Sequence, residues 1–204
     1  KRQAPELLRK ALSAKNWTPQ VIGLSGNTDA YQPAERRLRI TRRCLEVLAE
    51  FRNPVGIITK SYLVSRDVDL LSDLAQHQAA AVALSITTLD PHVQRVMEPR
   101  ASSPARRLGA IRVLADAGIP VGVNVGPVIP GLTDHELPAI LEAASDAGAS
   151  FANYIMLRLP YGVKDLFSVW LEQHFPDRKD KVLNRVRDLR GGRLYDSRHE
   201  VRGR

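Results

Sequence analysis

The chain has 204 residues, 44% of them apolar and 25% charged, the balance of an ordinary globular protein of one sizeable domain. Its one cysteine, Cys44, excludes a disulfide framework or a cysteine metal cage built from this chain alone, and no apolar run approaches the roughly eighteen residues of a membrane span. The net charge of +8 admits polyanionic partners.

A basic, amphipathic segment opens the chain where a secretory signal would need an apolar core, so a cytoplasmic protein is expected. From there strand and helix patterns alternate. Apolar, β-rich runs at 21–25, 55–59, 80–86, 120–129 and 151–158 predict five strands. Helical patterns at 34–51, 66–77, 103–117 and 134–147 lie between them. In the first of these helices Leu38, Cys44, Leu45, Leu48 and Phe51 form an amphipathic stripe, which places Cys44 in the core. Ser65, Ser103 and Thr133 are expected N-caps, with Thr133 and Glu136 forming a capping box. Gly118 and Gly148, each closing an "Asp-Ala-Gly" phrase, suit left-handed C-caps. Alternation of this kind predicts an α/β fold with a parallel sheet and right-handed crossovers.

Parallel α/β folds place their sites at the carboxyl ends of the strands. There the chain delivers Asn27, Thr28 and Asp29, then Thr59 and Lys60, then Ser85, Thr87 and Thr88, then a Pro- and Gly-rich run ending at Gly131, and last Arg158. Small hydroxyls and amides joined by Lys60 and Arg158 suit a ligand that bears a carboxylate or phosphate. Singly, each residue has a plainer reading. Asp29 could close an Asx-turn, Ser85 could be a buried hydroxyl bonded to backbone, and Lys60 could reach solvent. Their coincidence at one rim carries the site.

Basic residues crowd three places: Arg36 to Arg43, Arg100 to Arg107, and the Arg- and Gly-rich stretch from Arg185 to Arg204. The first two read as solvated helix faces. The third is the better candidate for a nucleic-acid contact or a disordered end. No P-loop, Ser-His-Asp arrangement or HExxH motif is present, and the five histidines form no metal motif.

The stretches "GNTDAYQPAERRLRITRRCLEVL", "VALSITTLDPHVQRVMEPRASSPARRL" and "GIPVGVNVGPVIPGLTDHELPAIL", with "LRLPYGVKDLF", resemble radical SAM proteins related to spore photoproduct lyase. The resemblance runs along essentially the whole chain. It implies a partial (β/α)6 TIM-type barrel of parallel strands with outer helices, here with its first strand missing. That barrel is expected over 1–175, with a basic C-terminal helix and tail over 176–204. It also implies S-adenosylmethionine bound against a 4Fe–4S cluster, reductive cleavage to a 5′-deoxyadenosyl radical, and hydrogen abstraction from a substrate. The implied partners are an electron donor such as flavodoxin or ferredoxin and, as a candidate substrate, a nucleic acid, with no membrane. The family's Cys-x3-Cys-x2-Cys loop follows its first barrel strand and is expected to precede Lys1, so no metal ligand is assigned here.

By the same resemblance Asn27, Thr28 and Asp29 stand where the family binds the methionyl amino group, with Asp29 the anion. Lys60 pairs with the methionyl carboxylate, Arg100 is a second carboxylate partner, and Ser85 bonds the carboxylate or ribose. The backbone from Val128 to Gly131, with Met156 and Leu157, flanks adenine. Two other readings stay open: a cluster-independent barrel enzyme for a small anionic substrate, with Lys60 as a Schiff-base lysine, and a non-catalytic nucleic-acid-binding module.

Overall fold

Five strands lie side by side in the order in which they occur, all parallel, in a computed structural model that describes residues 2–26 and 28–195. They are β1 (Ile22–Leu24), β2 (Val55–Thr59), β3 (Ala80–Ser85), β4 (Val121–Val128) and β5 (Phe151–Met156). The order never reverses. With right-handed crossovers, unbroken order puts the connecting helices on one side of the sheet, which is a barrel wall and not a doubly wound sheet. The helices are α1 (Ala4–Leu12), α2 (Glu35–Leu38), α3 (Ile40–Glu50), α4 (Val68–Gln76), α5 (Pro91–Met97), α6 (Pro104–Asp116), α7 (Leu137–Asp146), α8 (Val163–His174) and α9 (Pro176–Leu189). None is long and apolar enough to cross a membrane among the described residues.

The two faces of the sheet carry different side chains. Val55, Ile57, Val82, Leu84, Val121, Val123 and Val125 point one way and are buried against Leu45 and Leu48 of α3, Leu71 and Leu74 of α4, and Ile111 and Leu114 of α6. The other face is built from small residues in register: Gly23 beside Gly56 beside Ala81, and Ser85 beside Asn124 beside Asn153. At its edge Phe151 of β5 lies over Gly122 of β4, where an added Cβ would stand 2.3 Å from the Phe151 carbonyl oxygen and 2.4 Å from its ring. β5 itself is largely exposed, with Tyr154 67% and Ile155 46% accessible.

Local signals fare unevenly. Gly118 and Gly148 have φ of 73° and 96°, and the amides of Ile119 and Ala149 reach back to Leu114 and Ala144, the expected left-handed stops. Ser103 caps α6 through the Arg106 amide. The long helix expected over 34–51 is two helices, broken at Arg39 with φ 49°. The Glu35 carboxylate there accepts from the Ile40 amide at 2.9 Å, satisfying a donor at the start of α3 that a continuous helix would have paired internally. Ser65 is not a cap: its hydroxyl donates to the Tyr62 carbonyl, and the 3-10 turn before α4 is capped by Ser61. The Thr133–Glu136 capping box does not form either. Thr133 accepts from the Ile129 amide, while Glu136 accepts from the Thr88 hydroxyl and the Leu89 amide. Cys44 is buried on α3, and burial pushes its thiol above the usual range.

The C-terminal helices belong to the body of the protein. Val182, Leu183 and Val186 of α9 and Leu171 of α8 are buried with Ile129, Leu132, Leu157 and Leu159 in a second apolar cluster. The first part of the Arg-rich stretch is therefore structural: Arg185 pairs with Asp134 at 2.9 Å, and buried Arg190 donates to the Leu157 carbonyl at 2.6 Å. Residues 196–204, the remainder of the expected tail, lie outside the described residues.

Candidate functional site

The site begins where β1 and β2 end. The Asp29 carboxylate accepts from the Tyr31 amide at 2.8 Å and the Thr59 hydroxyl at 2.7 Å through Oδ1, and from the Lys60 amide at 2.8 Å through Oδ2. It forms the expected Asx-turn and also ties the β1 loop to β2. A carboxylate has about four lone-pair positions, so Oδ2 keeps room for one further donor.

Lys60 is held across the sheet. Its ammonium donates to Glu98 Oε1 at 2.6 Å and to the Gly126 carbonyl at 3.1 Å, with Thr87 Oγ1 at 3.5 Å. Glu98 Oε2 in turn accepts from Arg107, whose side chain is 1% exposed, at 2.6 Å. Arg107 completes its fork on the Ser85 and Ser102 carbonyls, both at 2.7 Å. Burial pushes the Glu98 carboxyl up, but the charges of Lys60 and Arg107 and their hydrogen bonds outweigh it, leaving it below the usual range. Three side chains, from beyond β2, beyond β3 and α6, thus meet on one carboxylate.

A cavity of about 710 Å³ opens beside this network, within the range of small-molecule sites. Thr28, Asp29 and Gln32 line it from the β1 loop, and Lys60 and Ser61 from the end of β2. Arg100 and Ser102 line it from the approach to α6, and Arg106 from the first turn of that helix. Arg36 closes the rim. Arg36, Arg100 and Arg106 are exposed, and none has a carboxylate partner among the described residues. Arg106 lies over the Tyr62 ring, 4.8 Å from its centroid. The cavity therefore carries an acid, a braced lysine and three guanidinium groups without a carboxylate partner among the described residues.

The fold of such a strand-end cavity has a counterpart in known proteins. The family model described as the radical SAM superfamily matches residues 1–144. The chain belongs to the radical SAM superfamily. Uncharacterized proteins of Mycobacterium tuberculosis and Mycobacterium bovis are 33% identical to it over 199 residues, 96% of this chain and 57% of theirs. An uncharacterized protein of Methanocaldococcus jannaschii is 28% identical over 81% of this chain and 60% of its own. The chain thus spans little more than half the length of these curated relatives. Among solved structures, a mutant of spore photoproduct lyase with bound AdoMet and dinucleoside spore photoproduct superposes with a TM-score of 0.60 at 18% identity, over 85% of this chain and 50% of that one. Native anSMEcpe with bound AdoMet gives 0.51 at 12% identity, over 88% and 51%. Both share the fold, a radical SAM partial barrel.

Within this radical SAM chain the predicted residues divide into two groups. Thr28, Asp29, Lys60 and Arg100 are brought together in one cavity. Ser85 stands behind it, 4% exposed, donating to the Gly126 carbonyl at 3.2 Å, as the plainer reading of a buried hydroxyl expects. Val128 is buried in β4, and Gly131 packs beneath α9, 3.3 Å from Arg185 Cδ to an added Cβ. Met156 and Leu157 line a separate cleft of about 10 Å³ with Pro130, Val186 and Arg190, room for about one water and none for a base. Arg158 is exposed and does not line the cavity. Asn27 lies outside the described residues. Glu98 and Arg107 carry the network; sequence reasoning gave Glu98 no role and read Arg107 as part of a solvated helix face, whereas it is 1% exposed and bonded to Glu98 and two carbonyls. The only signal was Glu98 standing two residues before Arg100 in "MEPR".

Proposed function

We propose that this chain is the part of a radical SAM enzyme that holds the methionyl end of S-adenosylmethionine. The carrying observation is that Asp29, Lys60 and Arg100 line one cavity with hydrogen-bonding capacity to spare. Asp29 Oδ2 accepts the ammonium of the ligand. Arg100, which has no carboxylate partner among the described residues, takes the ligand's carboxylate with Lys60 beside it. A zwitterion needs one acid and one base on opposed walls, and charge-assisted bonds of this type are the strong ones. Val128, Gly131, Met156 and Leu157 are left out of the ligand set, because none of them lines the cavity: Val128 is buried in the sheet core, and the other three lie against α9.

Given one electron from a reduced iron–sulfur cluster, bound S-adenosylmethionine would split into methionine and the carbon radical that removes hydrogen from a substrate. The residues of this chain bind and orient it. They do not fit an iron–sulfur cluster. One buried cysteine is no three-thiolate set, and no group of three His, Cys, Asp or Glu among the described residues could hold a metal. The Schiff-base reading has less support, since Lys60 Nζ sits 2.6 Å from a carboxylate.

The finer activity proposed is lyase or repair-like chemistry on a nucleic acid. Its support is the rim, where Arg36 and Arg106 face the cavity beside Arg100. Calorimetry with S-adenosylmethionine tests the first part. Arg100→Ala should weaken binding by about 1.5–3 kcal/mol, as for a hydrogen bond to a charged group, with unchanged folding. Unaltered affinity, or no binding by the unsubstituted protein, would remove the methionyl assignment. A salt titration of DNA binding tests the second. Replacing Arg36 and Arg106 by alanine should flatten the log–log slope by about 0.9 for each phosphate that the two arginines neutralise. A slope that does not move would leave the rim a solvated face.

A further inference from the structure

We infer that Glu98 is a positioning residue for the ligand carboxylate, acting through Lys60, with Arg107 as its anchor. The inference rests on the methionyl reading of the cavity and names what prepares that site. An ammonium has three protons. Glu98 Oε1 takes one at 2.6 Å and the Gly126 carbonyl a second at 3.1 Å. The third has only Thr87 Oγ1, at 3.5 Å, too long for a strong bond. The Thr87 hydroxyl has one proton, which goes to Glu98 Oε1 or to the Gly126 carbonyl, each 2.9 Å away, and its lone pairs offer Lys60 only this long contact. One proton of Lys60 is thus left to turn toward the cavity, and its direction is set by the two that are held.

Glu98 can do this because it is itself fixed. Its side chain is 11% exposed, and the Arg107 fork joins it to the carbonyls at the end of β3 and before α6. Glu98 is shared between Lys60 and Arg107, so the three groups keep one net positive charge. That charge adds to the charge of Arg100 at the rim in drawing an anion, while the held ammonium of Lys60 supplies direction. Two residues of one short phrase, Glu98 and Arg100, serve the same ligand group, one from behind the wall and one from its mouth.

Glu98→Gln keeps the size and removes the charge and one strong acceptor. It should weaken S-adenosylmethionine binding roughly tenfold, the scale of one charge-assisted hydrogen bond. In a Lys60→Met background the same change should cost nothing further, an outcome that a merely structural role would not produce. A second measurement needs no variant. In the lysine-15N-labelled protein the Lys60 ammonium should give a resolved, slowly exchanging proton signal, as a held ammonium does. Equal or tighter binding by Glu98→Gln, additive losses in the double variant, or an ammonium in free exchange would each overturn the inference. If the unsubstituted protein does not bind S-adenosylmethionine but shows the held ammonium, the methionyl reading fails and the inference with it. If it binds and Glu98→Gln binds equally, the inference fails alone.

Discussion

The ends of β1 to β3 and the ends of β4 and β5 sit on the same rim, yet they are finished in opposite ways. Along the first, Asp29, Lys60, Glu98 and Arg107 form one connected set of charges, each oriented by a partner at least nine residues away in sequence. Along the second, Ile129, Leu132, Leu157 and Leu159 run into an apolar cluster closed by α8 and α9. One end is built to keep charge in place beside a cavity, and the other to exclude water. Polar residues at strand ends are therefore insufficient to define a site. What distinguishes the cavity end is that its charges are braced from behind while its rim arginines have no carboxylate partner among the described residues.

The sharpest way to break this comparison is to remove a brace at each end. Arg107→Met strips a buried cation from Glu98 and two carbonyls, and should cost about 3–5 kcal/mol of stability, as for breaking a buried pair. Arg185→Ala removes a partly exposed pair with Asp134 near α9 and should cost about 1 kcal/mol or less. Denaturant unfolding of both variants checks the ranking, and equal losses would erase the distinction. Next in size is a pair of glycines. Gly122→Ala forces a Cβ onto the Phe151 carbonyl and ring and should cost about 1–3 kcal/mol, whereas Gly56→Ala meets only Val21 Cγ1 at 3.7 Å and should be tolerated. Thermal unfolding decides between them.

The smallest expected effect is in the acid limb of stability. The folded carboxyl of Glu98 lies below its ordinary value of 4.5, so it contributes stability above that value, which is lost as pH falls through the folded one. The stability difference between the protein and Glu98→Gln should thus be full near neutral pH and shrink below about pH 4.5. A difference that grows on acidification would mean that burial, and not the two cations, governs Glu98.

Much of the frame was legible in the residues. Strand and helix periods are local, and the five apolar runs became five parallel strands. The glycine stops at 118 and 148 were equally legible, because a left-handed residue after a helix is a property of a few neighbouring atoms. Legible too was the gathering of Thr28, Asp29 and Lys60 on one rim, which follows once strand ends are known to share an edge, whereas Arg100, between α5 and α6, came only from the family resemblance. Carboxylates were misread where a local partner and a distant one competed. Glu136 was expected to cap its own helix and instead bonds Thr88 and Leu89 at the end of β3. Glu35 breaks the helix it was expected to extend.

By itself, then, the sequence determined the alternating parallel architecture, the radical SAM family and the core position of Cys44, since each rests on short-range pattern or on phrases kept in order. Only the tertiary structure decided that Lys60 spends its protons on Glu98 and Gly126, and that Met156 and Leu157 face α9. It alone also made Arg190 a buried anchor of the Leu157 carbonyl and not part of a free tail. The physical reason is the same for the two cations. A long side chain pairs with whichever acceptor folding leaves unsatisfied nearby, and that acceptor lies 30 to 70 residues away, where no spacing in the chain announces it.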